Sequence, residues 1–379
     1  MRIPTCAVLL VSLALVLGCG GGSTDRPAPA TGTLTLRLGT DSLPGYSSVV
    51  VGVEKVEAST DGSNWTTLGN VKKTVDLVAL QNGNAASLLA ATTVNPTTFS
   101  QFRITWATVN YQSTISVPAY IIATGGAQQV LIMPTTSTVS GPVTVGSNGA
   151  VVAQIMLSGL QAVQTRAGFG ATFLAQGAAY DLAASARITG KVLDGTSPLV
   201  GAEVFAETVD ALGVATLQRR SFTDATGTYA LEGLPLGYVY FVVSQPAGVT
   251  SAYPATSTTP VNATTATTYT ANLAASSPAT PGSLNLTLTP ASTVTQGSWG
   301  ELRQAVTTGT SGSQILIVRS QTAATLAASD QVLFQGLTPG FYGVTAQRSA
   351  AGAVPVMKTG TQMLVSAGGL PSSATLSYP

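Results

Sequence analysis

The chain has 379 residues, enough for two or three domains of ordinary size, and only 8% of them are charged, against roughly a quarter in typical soluble domains. Its 16 basic and 15 acidic side chains leave a formal charge of +1 and form no basic face, so no nucleic-acid partner is expected. Histidine is absent, which removes the usual general base near neutral pH, the base of a serine or cysteine triad and the commonest metal ligand.

Residues 1–18 read as a signal peptide: Arg2, an apolar run over 7–17, then Gly18-Cys19 and three glycines. The run is about eleven residues, where a membrane-spanning helix needs about twenty. Val16-Leu17-Gly18-Cys19 resembles the lipobox cut by lipoprotein signal peptidase, and the resemblance implies that Cys19 becomes the acylated first residue, carrying three chains, palmitate among them. An ordinary secretory signal with an incidental cysteine is the alternative. Cys6 lies in the segment that is discarded, so the mature chain keeps only Cys19 and has no disulfide. Each buried acyl methylene contributes about 0.8 kcal/mol, so several chains anchor essentially permanently. Gly20 is not the aspartate that retains lipoproteins in the inner membrane of Gram-negative cells, so in such a host outer-membrane anchoring is expected, facing periplasm or surface. Residues 19–31, with Pro27 and Pro29, read as a flexible tether.

From Thr33 the pattern alternates, with Leu34, Leu36 and Leu38 on one face, as in a half-buried strand. Val49, Val51 and Val53 alternate after a turn, and Asp61-Gly62 reverses the chain before Trp65 and Leu68. Further strand-like runs lie at 102–109, 120–123, 130–133 and 151–157. No long amphipathic helix is apparent, and the best short candidate is 85–91. Gly32-Thr33-Leu34, Val53-Glu54-Lys55-Val56-Glu57, Trp65-Thr66-Thr67-Leu68, Val75-Asp76-Leu77-Val78-Ala79-Leu80 and Phe99-Ser100-Gln101-Phe102-Arg103-Ile104 together resemble the domain-of-unknown-function 4382 family, so 32–185 reads as one β-rich domain. Asp76 reads as a turn-satisfying carboxylate, with a ligand or cation contact as the alternative.

A second pattern opens at Ala186. Ile188-Thr189-Gly190-Lys191-Val192, Gly201-Ala202-Glu203-Val204, Thr223-Asp224, Gly227-Thr228-Tyr229 and Gly233-Leu234-Pro235-Leu236-Gly237-Tyr238 resemble the carboxypeptidase regulatory-like domain. The resemblance implies a non-catalytic, transthyretin-like β-sandwich over 186–273. Asp224 and Gly227 close a tight turn that points Tyr229 and Leu231 inward. The octet Leu231 to Tyr238 lines up with Phe334 to Phe341, which marks a duplicated unit. Residues 274–281 then read as an Ala/Ser/Pro linker and 282–379 as a third sandwich, opened by Leu284, Leu286 and Leu288.

Chemistry is sparse. Glu54 and Glu57 fall on opposite faces of a strand, and Glu203, Glu207 and Asp210 read as solvated positions along one strand and its turn. No phosphate loop, calcium loop or metal-ligand spacing occurs, so no cofactor and no metal site are expected. Lys191 and Asn272 could formally form an isopeptide bond, but Lys191 is one place out of register for it. Trp106 alternates with Phe102 and Ile104 and reads as core, whereas Trp65 and Trp299, beside turns, are the candidate platforms for a stacked sugar.

The sequence thus reads as all-β, with tandem immunoglobulin- or transthyretin-like β-sandwiches behind a cleaved lipoprotein signal peptide. The function expected is a non-enzymatic cell-envelope module that meets an envelope protein or polysaccharide. A carbohydrate-binding surface lipoprotein and an accessory subunit of an export or assembly system are the alternatives.

Overall fold

The computed structural model describes residues 30–41, 43, 45–109, 118–158, 163–166, 170–247, 251–293, 295–309, 312–350 and 355–379. They form thirty strands and two short 3-10 turns, Leu77–Leu80 and Leu182–Ala184, with no α-helix among them. A first group holds β1 (Gly32–Thr40), β2 (Tyr46–Ser59), β3 (Thr66–Asp76), β4 (Ala86–Val94), β5 (Thr97–Trp106), β6 (Tyr120–Ala123), β7 (Gln128–Ile132), β8 (Thr136–Val145), β9 (Ala150–Leu157), β10 (Val163–Arg166), β11 (Gly170–Phe173) and β12 (Gly177–Asp181). A second holds β13 (Ala186–Asp194), β14 (Ser197–Pro198), β15 (Glu203–Val209), β16 (Ala215–Phe222), β17 (Thr228–Leu234), β18 (Tyr238–Ser244), β19 (Thr256–Ser257), β20 (Val261–Ala263), β21 (Thr268–Thr270) and β22 (Leu273–Ala275). A third holds β23 (Gly282–Thr289), β24 (Gln296–Thr307), β25 (Ser313–Thr322), β26 (Ala324–Thr325), β27 (Asp330–Leu337), β28 (Gly340–Ala350), β29 (Val356–Val365) and β30 (Ser372–Ser377).

The alternating residues form strands because a pleated backbone sends neighbours to opposite faces. In β23, Leu284, Leu286 and Leu288 are wholly buried while Ser283, Asn285 and Thr287 face outward. Each such leucine contributes roughly 1.5–3 kcal/mol by leaving water. In β1 the same rule buries Leu34, Leu36 and Leu38 against Val51, Phe102 and Ile104 in the first core. The segment 85–91 is not helical: its residues from Ala86 on belong to β4, antiparallel to β1. Thr92, Thr93 and Val94, β-branched residues that suit a pleated surface, continue that strand.

The second and third groups repeat one plan. β13 pairs antiparallel with β17 and parallel with β21 and β22, as β23 pairs antiparallel with β27 and parallel with β30. β15 lies between β16 and β18 as β24 lies between β25 and β28. Both central strands slip register against their outer neighbour at the same place, between Ala206 and Glu207 and between Leu302 and Arg303. Opposite each slip stands an arginine reaching a glycine turn. Arg219 donates to Glu232 O and Gly233 O at 2.9 Å each, and Arg319 donates to Gly336 O at 3.2 Å. Gly233 and Gly336 sit at φ +66° and +67°, a left-handed conformation that favours glycine.

The groups are not strung apart. Phe205, Ala215 and Val243 of the second are buried in one cluster with Leu302, Leu316 and Val344 of the third. Ala274 and Ala275, read as linker, pair with Leu193 and Asp194, and Ala279 exchanges backbone bonds with Ala252. The first group meets the others through Gln176 to Ser349 Oγ, 2.9 Å, and through the parallel pairing of Arg166 with Thr325.

Candidate functional site

Cys19, the expected lipidation site, the expected signal peptide and the expected tether as far as Pro29 lie outside the described residues. The tryptophans separate. Trp106 is core: it is buried, donates Nε1 to Ser137 Oγ at 2.7 Å and meets Phe173 edge-on. Trp65 is half-buried after the Asp61 turn, with the Arg103 guanidinium 4.2 Å from its ring centroid. Arg103 Nε in turn donates to Glu57 at 2.8 Å, and Glu57 also takes Lys55 Nζ at 2.9 Å. One face of Trp65 is therefore closed to a sugar by a side chain that an ion pair holds in place.

Trp299 is not a surface platform. It lies inside β24, is 2% exposed and donates Nε1 to Glu301 Oε1 at 3.4 Å. Trp299 does not adjoin a turn, and Gly300 beside it marks close packing within the strand. A Cβ there would stand 2.9 Å from Leu286 Cδ2 and 3.1 Å from the Phe334 ring.

Glu203 and Glu207 are likewise not solvated; they are 4% and 0% exposed. β15 is covered on both faces because the third group packs on the side that alternation assigns to water. Glu203 binds Arg220 Nη1 at 3.2 Å, and Glu207 Oε2 accepts from Ile317 N, 110 residues on, at 2.9 Å. Burial pushes both carboxyls above the ordinary glutamate range, Glu207 furthest. Asp210 stays in the exposed turn, accepting from Leu212 N and Val214 N. Glu57 and Glu54 do not converge, since Glu57 is spent on Arg103 and Lys55.

The three groups meet around a cavity of about 450 Å³, within the roughly 300–1,000 Å³ range of small-molecule sites. Its wall takes Met156 and Gln176 from the first group, Arg219 and Arg220 from the second, and Glu301 and Arg303 from the third. Glu301, 2% exposed, accepts from Gln347 Nε2 at 2.6 Å and Arg303 Nη2 at 3.0 Å besides Trp299. Burial pushes its carboxyl up while Arg303 pulls it back. A general acid or base must exchange its proton with a substrate, and Glu301 faces three protein donors instead. The sequence reading passed over Arg220, Glu301, Arg303 and the Asp330–Arg348 pair. All of them lie within strands of a chain that has few charges to place.

Asp76 satisfies its turn: Oδ1 accepts from Val49 N and Val78 N, and Oδ2 from Ser48 Oγ. Asn272 Oδ1 accepts from the Lys191 backbone N–H at 3.0 Å, and both residues are exposed. That hydrogen bond spends the amide oxygen on the Lys191 main chain. Among the described residues no three acidic, histidine or cysteine side chains gather to hold a metal, and no helix is long and apolar enough to cross a membrane.

These features define an all-β protein of packed sandwiches. Residues 31–173 match the family model described as a domain of unknown function, DUF4382. No curated protein matches the chain. Among solved structures, a streptococcal ancillary pilin shares 12% identity over 92% of this chain and 99% of its own, with a TM-score of 0.22. The Bacillus anthracis TIE protein shares 10% over 92% of this chain and 51% of its own, TM-score 0.21. The fimbrial anchor protein Mfa2 from Porphyromonas gingivalis shares 9% over 44% and 78%, TM-score 0.16. At such TM-scores these likenesses carry no argument about arrangement or role.

Proposed function

We propose that the chain is a non-catalytic lipoprotein of the cell envelope, anchored through acylated Cys19, whose packed sandwiches present an interaction surface to other envelope components. One observation carries the non-catalytic part. Among the described residues the five buried acids Glu57, Glu203, Glu207, Glu301 and Asp330 each hold an arginine or a backbone amide that ties strands together. Acid/base chemistry needs a carboxyl pair with separated proton affinities facing a substrate, and these groups are committed to the fold. The lipobox-like Val16-Leu17-Gly18-Cys19 supports the anchor, and Gly20 supports the outer membrane as its site. The test is membrane fractionation of the native chain and of Cys19→Ala. The native chain is expected in the detergent-soluble membrane fraction with an acylated N-terminus, and the variant in the aqueous one. A variant that still pellets with membrane removes the anchor from the reading.

A further inference from the structure

Glu207 and Arg303 occupy the same position in the two repeats, the first residue after the register slip of the central strand. Each reaches into the other repeat. Glu207 Oε2 accepts from Ile317 N on β25 at 2.9 Å, while Arg303 Nη1 donates to Ala215 O on β16 at 2.9 Å. β16 and β25 are the outer strands of their sheets, whose free backbone groups would otherwise need water or another chain. The seam is therefore reciprocal: one side chain accepts from an edge N–H, and its counterpart donates to an edge carbonyl.

The charges around Glu207 are committed elsewhere. On β16, Arg220 is paired with Glu203 and Arg219 is bound to turn carbonyls. On β24, Arg303 is paired with Glu301, and on β25, Arg319 is bound to the Gly336 turn. Asp41, after β1, adds a further negative charge near Glu203. Glu207 is wholly buried, no cation forms an ion pair with it, and its Oε1 has no hydrogen-bond partner among the described residues. A charge in that position is costly: the Ile317 N–H and the nearby Arg303 charge offset only part of its desolvation, and the Glu301 carboxylate opposes it.

We propose that the seam between the second and third sandwiches is a proton-controlled lock, closed while the Glu207 carboxyl carries its proton and loosened when that carboxyl ionises. The sign follows from the direction of the shift. Burial raises the folded-state value well above the ordinary glutamate range, so the seam's stability is complete below that range and is lost as pH climbs through the raised value. One proton is released on opening, so in that window the opening constant rises by up to about tenfold per pH unit. An envelope protein at neutral pH thus holds a seam that tightens in acid and loosens in alkali.

The experiment is amide exchange of the β25 segment, corrected for intrinsic rate, in the whole chain and in Glu207→Gln from pH 5 to 9. Glutamine keeps the acceptor for Ile317 N and cannot ionise. Native β25 is expected to open progressively more with pH while the variant stays level, the two converging at pH 5. Parallel pH slopes overturn the lock. So does a variant loosened equally at every pH, which would mean an ionised Glu207 held by Arg303. If the variant does not fold, carboxyl NMR of the native chain decides: a Glu207 midpoint in the ordinary range ends the proposal, and one well above it sustains it.

Discussion

The Asp76 carboxylate shows how far one side chain can set local geometry. Oδ1 accepts from Val49 N and Val78 N, 3.0 Å each, and Oδ2 from Ser48 Oγ at 2.8 Å. It thereby caps the Leu77–Leu80 turn and pins the start of β2 to the end of β3. Asp76→Ala strands two backbone donors and a hydroxyl, so a loss of about 2 kcal/mol is expected. Asp76→Asn keeps an acceptor at Oδ1 and should lose about half of that. Denaturant midpoints followed by the buried Trp106 read the difference, and equal losses in both variants would mean that the acceptor role is misassigned. This residue was legible in the sequence because an aspartate between two apolar stretches has a local partner, its own backbone. Trp106 was legible for the same reason of scale: alternation with Phe102 and Ile104 places it without reference to other parts of the chain.

At the scale of elements, Arg348 ties its own strand to two others, to a turn and to Tyr378. Its Nη2 donates to Asp330 Oδ2 at 3.1 Å and Pro290 O at 2.7 Å, its Nε donates to Ser298 Oγ at 2.9 Å, and its guanidinium lies 4.3 Å from the Tyr378 ring centroid. These contacts tie β28 to β27, to β24 and to the turn after β23. Asp330 is wholly buried, so Arg348→Leu leaves an unpaired charge in the core and should cost about 3–5 kcal/mol. Adding Asp330→Asn removes that charge, so the double variant is expected to be more stable than Arg348→Leu alone. Thermal unfolding of the four corners of this cycle tests it, and additive losses would show that the two side chains do not act as a pair. Elements differ in legibility for the same reason. β23 alternates one buried face with one wet face and is read directly from period two. β15 also alternates, but both its faces are covered, so the rule that finds the strand mistakes Glu203 and Glu207 for solvated positions.

At the scale of the molecule, the question is whether the repeats behave as two bodies or one. Composition and spacing suggested sandwiches joined by a linker, because contacts between rigid units leave no periodic trace in either. The shared cluster argues for one body: Phe205 is wholly buried beside Leu302, Leu316 and Val344, and the seam adds bonds from Glu207, Arg303 and Gln245, whose Nε2 reaches Tyr342 OH at 2.8 Å. A reciprocal interface of this kind consumes the matching surface on both partners, so it closes a pair and does not extend into a stack. Phe205→Ala should remove about 3–5 kcal/mol through the cavity it leaves. If the seam is part of both cores, that loss and the loss from Leu302→Ala on the other side each lower one common transition in calorimetry. Independent bodies would instead give two transitions, with Phe205→Ala moving only the one reported by the second sandwich and leaving the third in place.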